Sequence, residues 1–337
     1  MAIYLRYSRP LIALAVILFT LLAVHVLYSP LDSLAPTKDS LFGGNYFGGG
    51  ARYGASNSLG LVIEEEEEHY KEALVDRERL VKKWGPKNEN IKPFPANGLY
   101  YTIWDYFIPA FQCPHRVQRV GTLADGGKWF CGVERYTRQR APCVIYSFGI
   151  NGESSFEAQL LKAAPQCELW GYDFSVSSFG PEIENDPDLK ARSHFFPYAL
   201  GGEDIERAEQ PTYTLQTLMK QNGHSFIDIL KIDIEGAEFQ SLSAFVDHFV
   251  PPGTEGGKDG VILPVGQLQL EIHAWGHNVA FPFFRSWWEN LERAGLRPFY
   301  TEPNLIYLQI IPGAKPDLAE YSFINAKVTS AMTDDRY

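Results

Sequence analysis

The stretch Leu230-Lys-Ile-Asp-Ile-Glu-Gly-Ala-Glu238 constrains this chain more than any other. The apolar run from Ile227 to Ile234 reads as a strand that breaks at an acidic turn and passes at once into a helix. The helix is legible because Phe239, Leu242, Phe245, Val246 and Phe249 recur on one helical face, and Pro251-Pro252 stops it. A strand that feeds a helix directly belongs to a parallel α/β sheet, where ligands bind at the carboxyl ends of the strands. Three carboxylates sit at that end: Asp233, Glu235 and Glu238. A helix N-terminus attracts acidic residues through its dipole, which accounts for Glu238 and Glu235. Asp233 directly follows the apolar run, and a buried carboxylate is costly unless partnered, so it is a candidate functional residue.

An α/β rhythm surrounds this stretch. Cys143–Phe148, Glu168–Tyr172, His194–Leu200 and Gln267–His273 read as further strands. Helices are expected around Phe156, Leu160 and Ala163, over Thr214–Asn222 with Gly223 as cap, and around Phe284, Trp287, Trp288 and Leu291. Pro197 confines the third strand to a sheet edge. Leu296–Tyr300 and Leu305–Ile311 read as a closing antiparallel hairpin that turns at Glu302-Pro-Asn304. The fold class is therefore α/β with a doubly wound, largely parallel sheet.

The expected organisation runs from a cytosolic tail (1–9) through a transmembrane signal anchor (10–28) to a flexible stalk (29–68). The anchor rests on the apolar run Leu11–Tyr28, which is just long enough to cross a bilayer core. Arg6 and Arg9 precede it and place the remainder on the lumenal side, as a type II protein of the Golgi or endoplasmic reticulum. A cleaved signal peptide and a secreted form is the competing reading. Glycines 43, 44 and 48–50 loosen the stalk, and Glu64–Glu68 forms a solvated acidic block. A helix and linker (69–94), a folded domain (95–325) and a C-terminal tail (326–337) follow. The net charge of −11 argues against a nucleic-acid surface. Cys113, Cys131, Cys143 and Cys167 lack zinc-type spacing and suit disulfides. One pairing is Cys113–Cys131 with Cys143–Cys167, the latter joining the starts of two neighbouring strands, but four cysteines allow three pairings.

Chemistry is suggested at three places. Gly149-Ile-Asn-Gly152 is a short turn whose glycines let a ligand approach the backbone, yet it matches neither a dinucleotide fingerprint nor a phosphate loop. Asp173 ends the next strand, where nucleoside-binding sheets place an acid for ribose hydroxyls. Together they favour an adenosine-type methyl donor over NAD. Glu271 and His273 alternate onto one face at the end of the fifth strand, beside Asp233. They suit a general base for a hydroxyl, with His273 the leading candidate, or a divalent cation held by Asp233, Glu271 and His273. A structural histidine packed near Trp275 is the plain alternative. The alternation of Gln267, Gln269 and Glu271 with apolar residues is unusual for a central strand.

Ser147-Phe-Gly-Ile-Asn-Gly152, Tyr172-Asp173 and Leu230–Glu238 resemble the successive motifs of the FkbM-type S-adenosylmethionine-dependent methyltransferases, nearest to their membrane-anchored eukaryotic forms, over roughly residues 110–325. The resemblance implies a seven-stranded sheet in the order 3-2-1-4-5-7-6. It implies Gly149, Asn151 and Gly152 along the methionine part of S-adenosylmethionine, Asp173 on the ribose, and Ala199–Gly201 near the adenine. The family carries an acid before its glycine turn where this chain has Ser147-Phe148, and Glu153 is the candidate replacement. The expected activity is O-methylation of a sugar, glycan or other hydroxylated small molecule in the secretory pathway. Two alternatives stand beside it: a catalytically degenerate binding or scaffolding domain, and a glycosyltransferase using Asp186-Pro-Asp188.

Overall fold

The computed structural model of the protein describes residues 58–336 apart from 97, 124, 140 and 208. Helix α1 (Ser58–Trp84) leads into a hairpin of β1 (Val117–Val120) and β2 (Lys128–Cys131), then α2 (Val133–Arg138). The α/β alternation begins with β3 (Cys143–Phe148), α3 (Ser155–Ala163) and β4 (Cys167–Tyr172). Two single-turn helices, α4 (Pro181–Glu184) and α5 (Pro187–Lys190), lead to β5 (Ser193–Phe196) and the short parallel pair β6 (Ala199–Leu200) and β7 (Thr212–Tyr213). Next come α6 (Leu215–Asn222), β8 (Ile227–Ile232), α7 (Glu238–Phe249) and β9 (Val265–His273). The chain closes with α8 (Phe281–Arg293), β10 (Leu296–Pro303), α9 (Leu305–Ile310) and β11 (Leu318–Asn325).

Seven strands form one sheet in the order β10-β11-β9-β8-β3-β4-β5, with β11 antiparallel to both neighbours. Renumbered within the sheet, this is the expected order 3-2-1-4-5-7-6. β5 lies at the edge and stops at Phe196, because Pro197 cannot donate to a ladder. The sheet separates two cores. Tyr146, Phe148, Leu268 and Leu270 pack with α6, α7 and α8 on one face, where Phe284, Trp288 and Leu291 are buried. Ile145, Leu160, Phe130 and Tyr136 pack on the other, under α3 and the β1–β2 hairpin. Each large apolar side chain so buried contributes about 1.5–3 kcal/mol.

The disulfides are Cys113–Cys131, which ties the incoming chain to β2, and Cys143–Cys167, which joins register partners at the starts of β3 and β4. Several boundaries differ from expectation. Leu305–Ile310 is helical: the Asn304 side chain accepts a hydrogen bond from the Tyr307 N–H at 2.9 Å and caps it, so the hairpin partner of β10 is Leu318–Asn325. The acidic block lies inside α1, where Glu67 pairs with Arg297 (2.5 Å) and Lys327 (2.6 Å). Residues 326–334 are packed, with Val328, Ala331 and Met332 buried and Arg135 donating to the Ala331 and Asp334 carbonyls.

The expectation of a single-pass, lumen-facing membrane protein is corrected. No helix among the described residues is long and apolar enough to cross a membrane. The segment 10–28 and the stalk glycines lie outside the described residues.

Candidate active site

A row of polar side chains crosses one face of the sheet in register. Ser147 of β3 pairs with Lys231 of β8, Lys231 with Gln269 of β9, and Gln269 with Ser322 of β11. One step toward the carboxyl ends of β8 and β9, Glu271 stands opposite Glu320, and Asp233 follows β8. This answers the odd alternation in β9, because these side chains face protein backbone rather than a helix. The Cys131 N–H donates to Gln267 Oε1 at 2.8 Å, and Gln267 Nε2 donates to the Cys131 carbonyl at 3.1 Å. Gln269 (3.3 Å) and Ser322 (2.7 Å) both donate to the Trp129 carbonyl. The β1–β2 hairpin is thereby pinned across the sheet.

The glycine turn touches the acidic turn. A Cβ added to Gly149, whose φ is +79°, would lie 1.8 Å from the Asp233 carbonyl oxygen, so no side chain fits there. Lys231 Nζ donates to the Gly149 carbonyl and lies 3.7 Å from the buried Glu157 carboxylate. Ser147 Oγ donates to Glu157 at 2.5 Å. A buried acid, Glu157 of α3, thus stands beside Ser147, ten residues along the chain. Glu153 instead accepts the Ser155 N–H at 2.9 Å at the start of α3.

Asp173 spends both oxygens on protein. Oδ2 accepts the Ile150 and Asn151 N–H groups at 2.8 Å each, and Oδ1 accepts the Ser175 N–H (2.7 Å) and hydroxyl (2.6 Å). Burial opposes its charge, but the Ser175 and turn hydrogen bonds outweigh it and hold the carboxyl below its usual range. Asp173 thereby shapes the glycine turn. Ala199 is half-buried in β6 and donates its N–H to the Pro211 carbonyl at 2.8 Å. Asp186 accepts the Asp188 and Leu189 N–H groups as the cap of α5, which removes the motif of the glycosyltransferase alternative.

Asp233, Glu271 and His273 converge, with one ligand atom of each within 4.8 Å of the others. Asp233 keeps 26% of its side chain exposed, whereas Glu271 and His273 are buried. Two partners were not legible in the sequence. Lys128 of β2 is buried, 3.3 Å from Asp233 Oδ2, and in contact with Glu320. Glu238, expected only to match a helix dipole, is buried with Oε1 2.8 Å from His273 Nδ1 and also accepts the Ile234 N–H at 3.1 Å. Glu235 is exposed at φ +54°, forming the turn itself.

The charges set distinct protonation states. Burial would raise Asp233, but the Lys128 and then the Lys231 ammonium pull its carboxyl well below the usual range. Burial, with repulsion from Asp233 and Glu320, pushes Glu271 well up. Burial would lower His273, but its hydrogen bond and attraction to Glu238 override this and raise it well above the ordinary imidazole value. These directions favour the ionised form of Asp233 and the protonated forms of Glu271 and His273.

Among solved structures, the chain is similar to the Methanococcus jannaschii fibrillarin pre-rRNA processing protein, at 11% identity over 56% of this chain and 69% of that one, with a TM-score of 0.32. It is similar to an O-methyltransferase family protein from Burkholderia thailandensis, at 12% identity over 57% and 55% of the chains and a TM-score of 0.27. An O-methyltransferase family 2 protein from Planctomyces limnophilus, solved with apigenin, gives 9%, 78%, 64% and 0.28 for the same quantities. Likeness at this level adds nothing to the reading of the site. No curated protein matches the sequence. The sequence model of a family described as "Methyltransferase domain" matches residues 55–314, more than three-quarters of the chain, and the protein belongs to that methyltransferase family.

Proposed function

We propose that the protein transfers the methyl group of S-adenosylmethionine to a hydroxyl oxygen of a small-molecule or glycan acceptor. The observation that carries the choice of oxygen is the buried Glu238–His273 pair beside Asp233. A hydroxyl must lose its proton to become a good nucleophile, and a carboxylate-oriented imidazole is a means to take it. S-adenosylmethionine supplies a sulfonium-bound methyl open to in-line attack.

The residues then divide the work. The backbone of the Gly149–Gly152 turn, shaped by Asp173, faces the methionine part, and Ala199–Gly201 lies toward the adenine. Asp233, ionised and partly exposed, accepts a hydrogen bond from a neighbouring hydroxyl of the acceptor and so orients the reacting oxygen, whose own proton is left to His273. Nδ1 of His273 stays bound to Glu238, which leaves Nε2 to receive the proton once the imidazolium has deprotonated. Protonated Glu271, which accepts from Asn304 Nδ2 at 2.9 Å, is a donor rather than a base. Asn304 also caps α9, whose Leu305 and Ile310 are 69% and 66% exposed. That apolar surface beside the site suits an acceptor with an apolar body next to its hydroxyl. The FkbM-type assignment within the family rests on the Lys231–Glu238 string. The ligand atoms of Asp233, Glu271 and His273 also converge as a cation site would, but a cation there would have to displace the protons of Glu271 and His273 and compete with the Lys128 ammonium for Asp233.

Calorimetric titration of the purified chain with S-adenosylmethionine, S-adenosylhomocysteine and UDP-sugars tests the proposal. Saturable binding of both adenosyl compounds and of no UDP-sugar is expected. Absence of adenosyl binding would overturn it in favour of a non-catalytic domain. Radiolabelled methyl transfer to a panel of hydroxylated, amine and thiol acceptors then tests the choice of oxygen.

A further inference from the structure

We propose that Lys128, held between Asp233 and Glu320, is a built-in cation that takes the part of a metal ion at the Asp233–Glu271–His273 cluster, and that it positions Asp233 for the acceptor. The second half rests on the methyl-transfer reading, whereas the occupancy of the site by an ammonium does not.

The carboxyl groups of Asp233 and Glu271 and the His273 imidazole converge at the ends of β8 and β9, a donor set of the kind that holds divalent cations, and Glu320 of β11 stands opposite Glu271. Carboxylates this close cannot all ionise without a counter-charge. The charge is present in the chain. Lys128 is only 3% exposed, with its ammonium 3.3 Å from Asp233 Oδ2 and in contact with Glu320 Oε1. A buried ammonium is destabilising unless paired, so its position needs a structure that imposes it. That structure is the β1–β2 hairpin. Gln267 binds the Cys131 backbone in both directions, Gln269 and Ser322 hold the Trp129 carbonyl, and the Cys113–Cys131 disulfide anchors the end of β2. On the polar face of β9, Gln267 and Gln269 fix the strand that carries Lys128. The ammonium competes with any cation for Asp233 and repels it. Lys128 acts through Asp233 and is a positioning residue.

The test uses the full chain and Mn²⁺ alone, read by calorimetry and electron spin resonance. Wild type is expected to take up no Mn²⁺ that depends on Asp233, and chelation by EDTA should change methyl transfer by less than about twofold. Lys128→Met keeps the buried stem and removes the charge, and it should acquire a Mn²⁺ site that disappears when Asp233→Asn is added. Lys128→Arg keeps the charge and should still exclude Mn²⁺. Where the Met variant does not fold, as judged by its melting transition, Lys128→Gln replaces it, since its amide can still donate to Glu320. Asp233-dependent Mn²⁺ binding by wild type would overturn the proposal. So would a folded Lys128→Met or Lys128→Gln variant that binds none. S-adenosylmethionine titration of the same samples separates the two readings: wild type that binds no adenosyl compound fails the functional proposal and leaves the Mn²⁺ result standing.

Discussion

Glu238 and His273 lie 35 residues apart in sequence and share a hydrogen bond in a dry pocket. This pairing sets the pH behaviour of the molecule. His273 is raised above its ordinary value, so protonation at neutral pH opposes the role of base proposed for it. Methyl transfer should be slow at acidic pH and rise through a limb above neutrality. Glu238→Gln removes the attraction, so the limb should move to lower pH, with a lower plateau because the ring is less firmly oriented. A limb that stays in place would show that another group titrates. The same shift has a stability sign. A group whose folded value is raised contributes stability that is fully present below its unfolded value, near 6.5, and lost as pH rises through the folded one. Wild type should therefore lose melting temperature between neutral and alkaline pH more steeply than Glu238→Gln. Asp233 was legible in sequence because it follows an apolar strand, and Glu271 and His273 because they alternate onto one face at the end of β9. Lys128 and Glu157 were not, since neither stands in a pattern tied to those strands. Glu238 was misread because its helix-start position offers an adequate local explanation.

At the level of elements, β9 shows why a polar alternation in a central strand should not be discounted. Gln267 acts as a surrogate strand partner for Cys131, accepting from its N–H and donating to its carbonyl. Gln267→Leu would leave both backbone groups buried and unpaired, at about 1–3 kcal/mol each. For a domain of this size that is a fall of roughly 2–4 °C in melting temperature per kcal/mol, measurable by calorimetry. Activity should fall further than stability alone explains, because the strand that carries Lys128 loosens. An unchanged melting temperature would contradict this account. The misassigned element is α9. A short apolar run such as Leu305–Ile311 has too few residues for periodicity to separate strand from helix, and the Asn304 cap decided it. Its exposed face gives a second test. Leu305→Ser with Ile310→Ser should leave the fold within about 0.5 kcal/mol and S-adenosylmethionine affinity unaltered, as surface changes generally do. KM should rise for acceptors with an apolar body and stay level for sugars. Equal effects on both acceptor classes would remove α9 from acceptor recognition.

Across the whole molecule, the parallel α/β class was legible because strands and helices alternate and Pro197 marked an edge, whereas the full strand order followed only from the resemblance to the FkbM-type methyltransferases. The packing of α1 was not legible. Its acidic block reads as solvated, yet Glu67 pairs with Arg297 and Lys327, and farther along Arg77 and Tyr70 converge on Glu292 of α8 at 2.6 and 2.5 Å, where Trp288 donates to the same carboxylate at 2.8 Å. Such long-range pairing leaves no local trace. The two disulfides divide the molecule by function. Cys143–Cys167 joins the starts of β3 and β4, at the end of the sheet opposite the site, and closes a 24-residue separation. Removing it with paired serines should cost about 2–4 kcal/mol through the unfolded chain, with kcat preserved in the molecules that remain folded. Cys113–Cys131 anchors the strand that carries Lys128 into the acid cluster. Its removal should lower kcat at temperatures well below the melting transition and leave S-adenosylmethionine binding at Gly149–Gly152 intact. Mild reduction followed in parallel by activity and circular dichroism reads both. If the double serine variant at 113 and 131 keeps full kcat, the hairpin does not position Lys128 through that bond, and the hydrogen bonds from Gln267, Gln269 and Ser322 alone hold it.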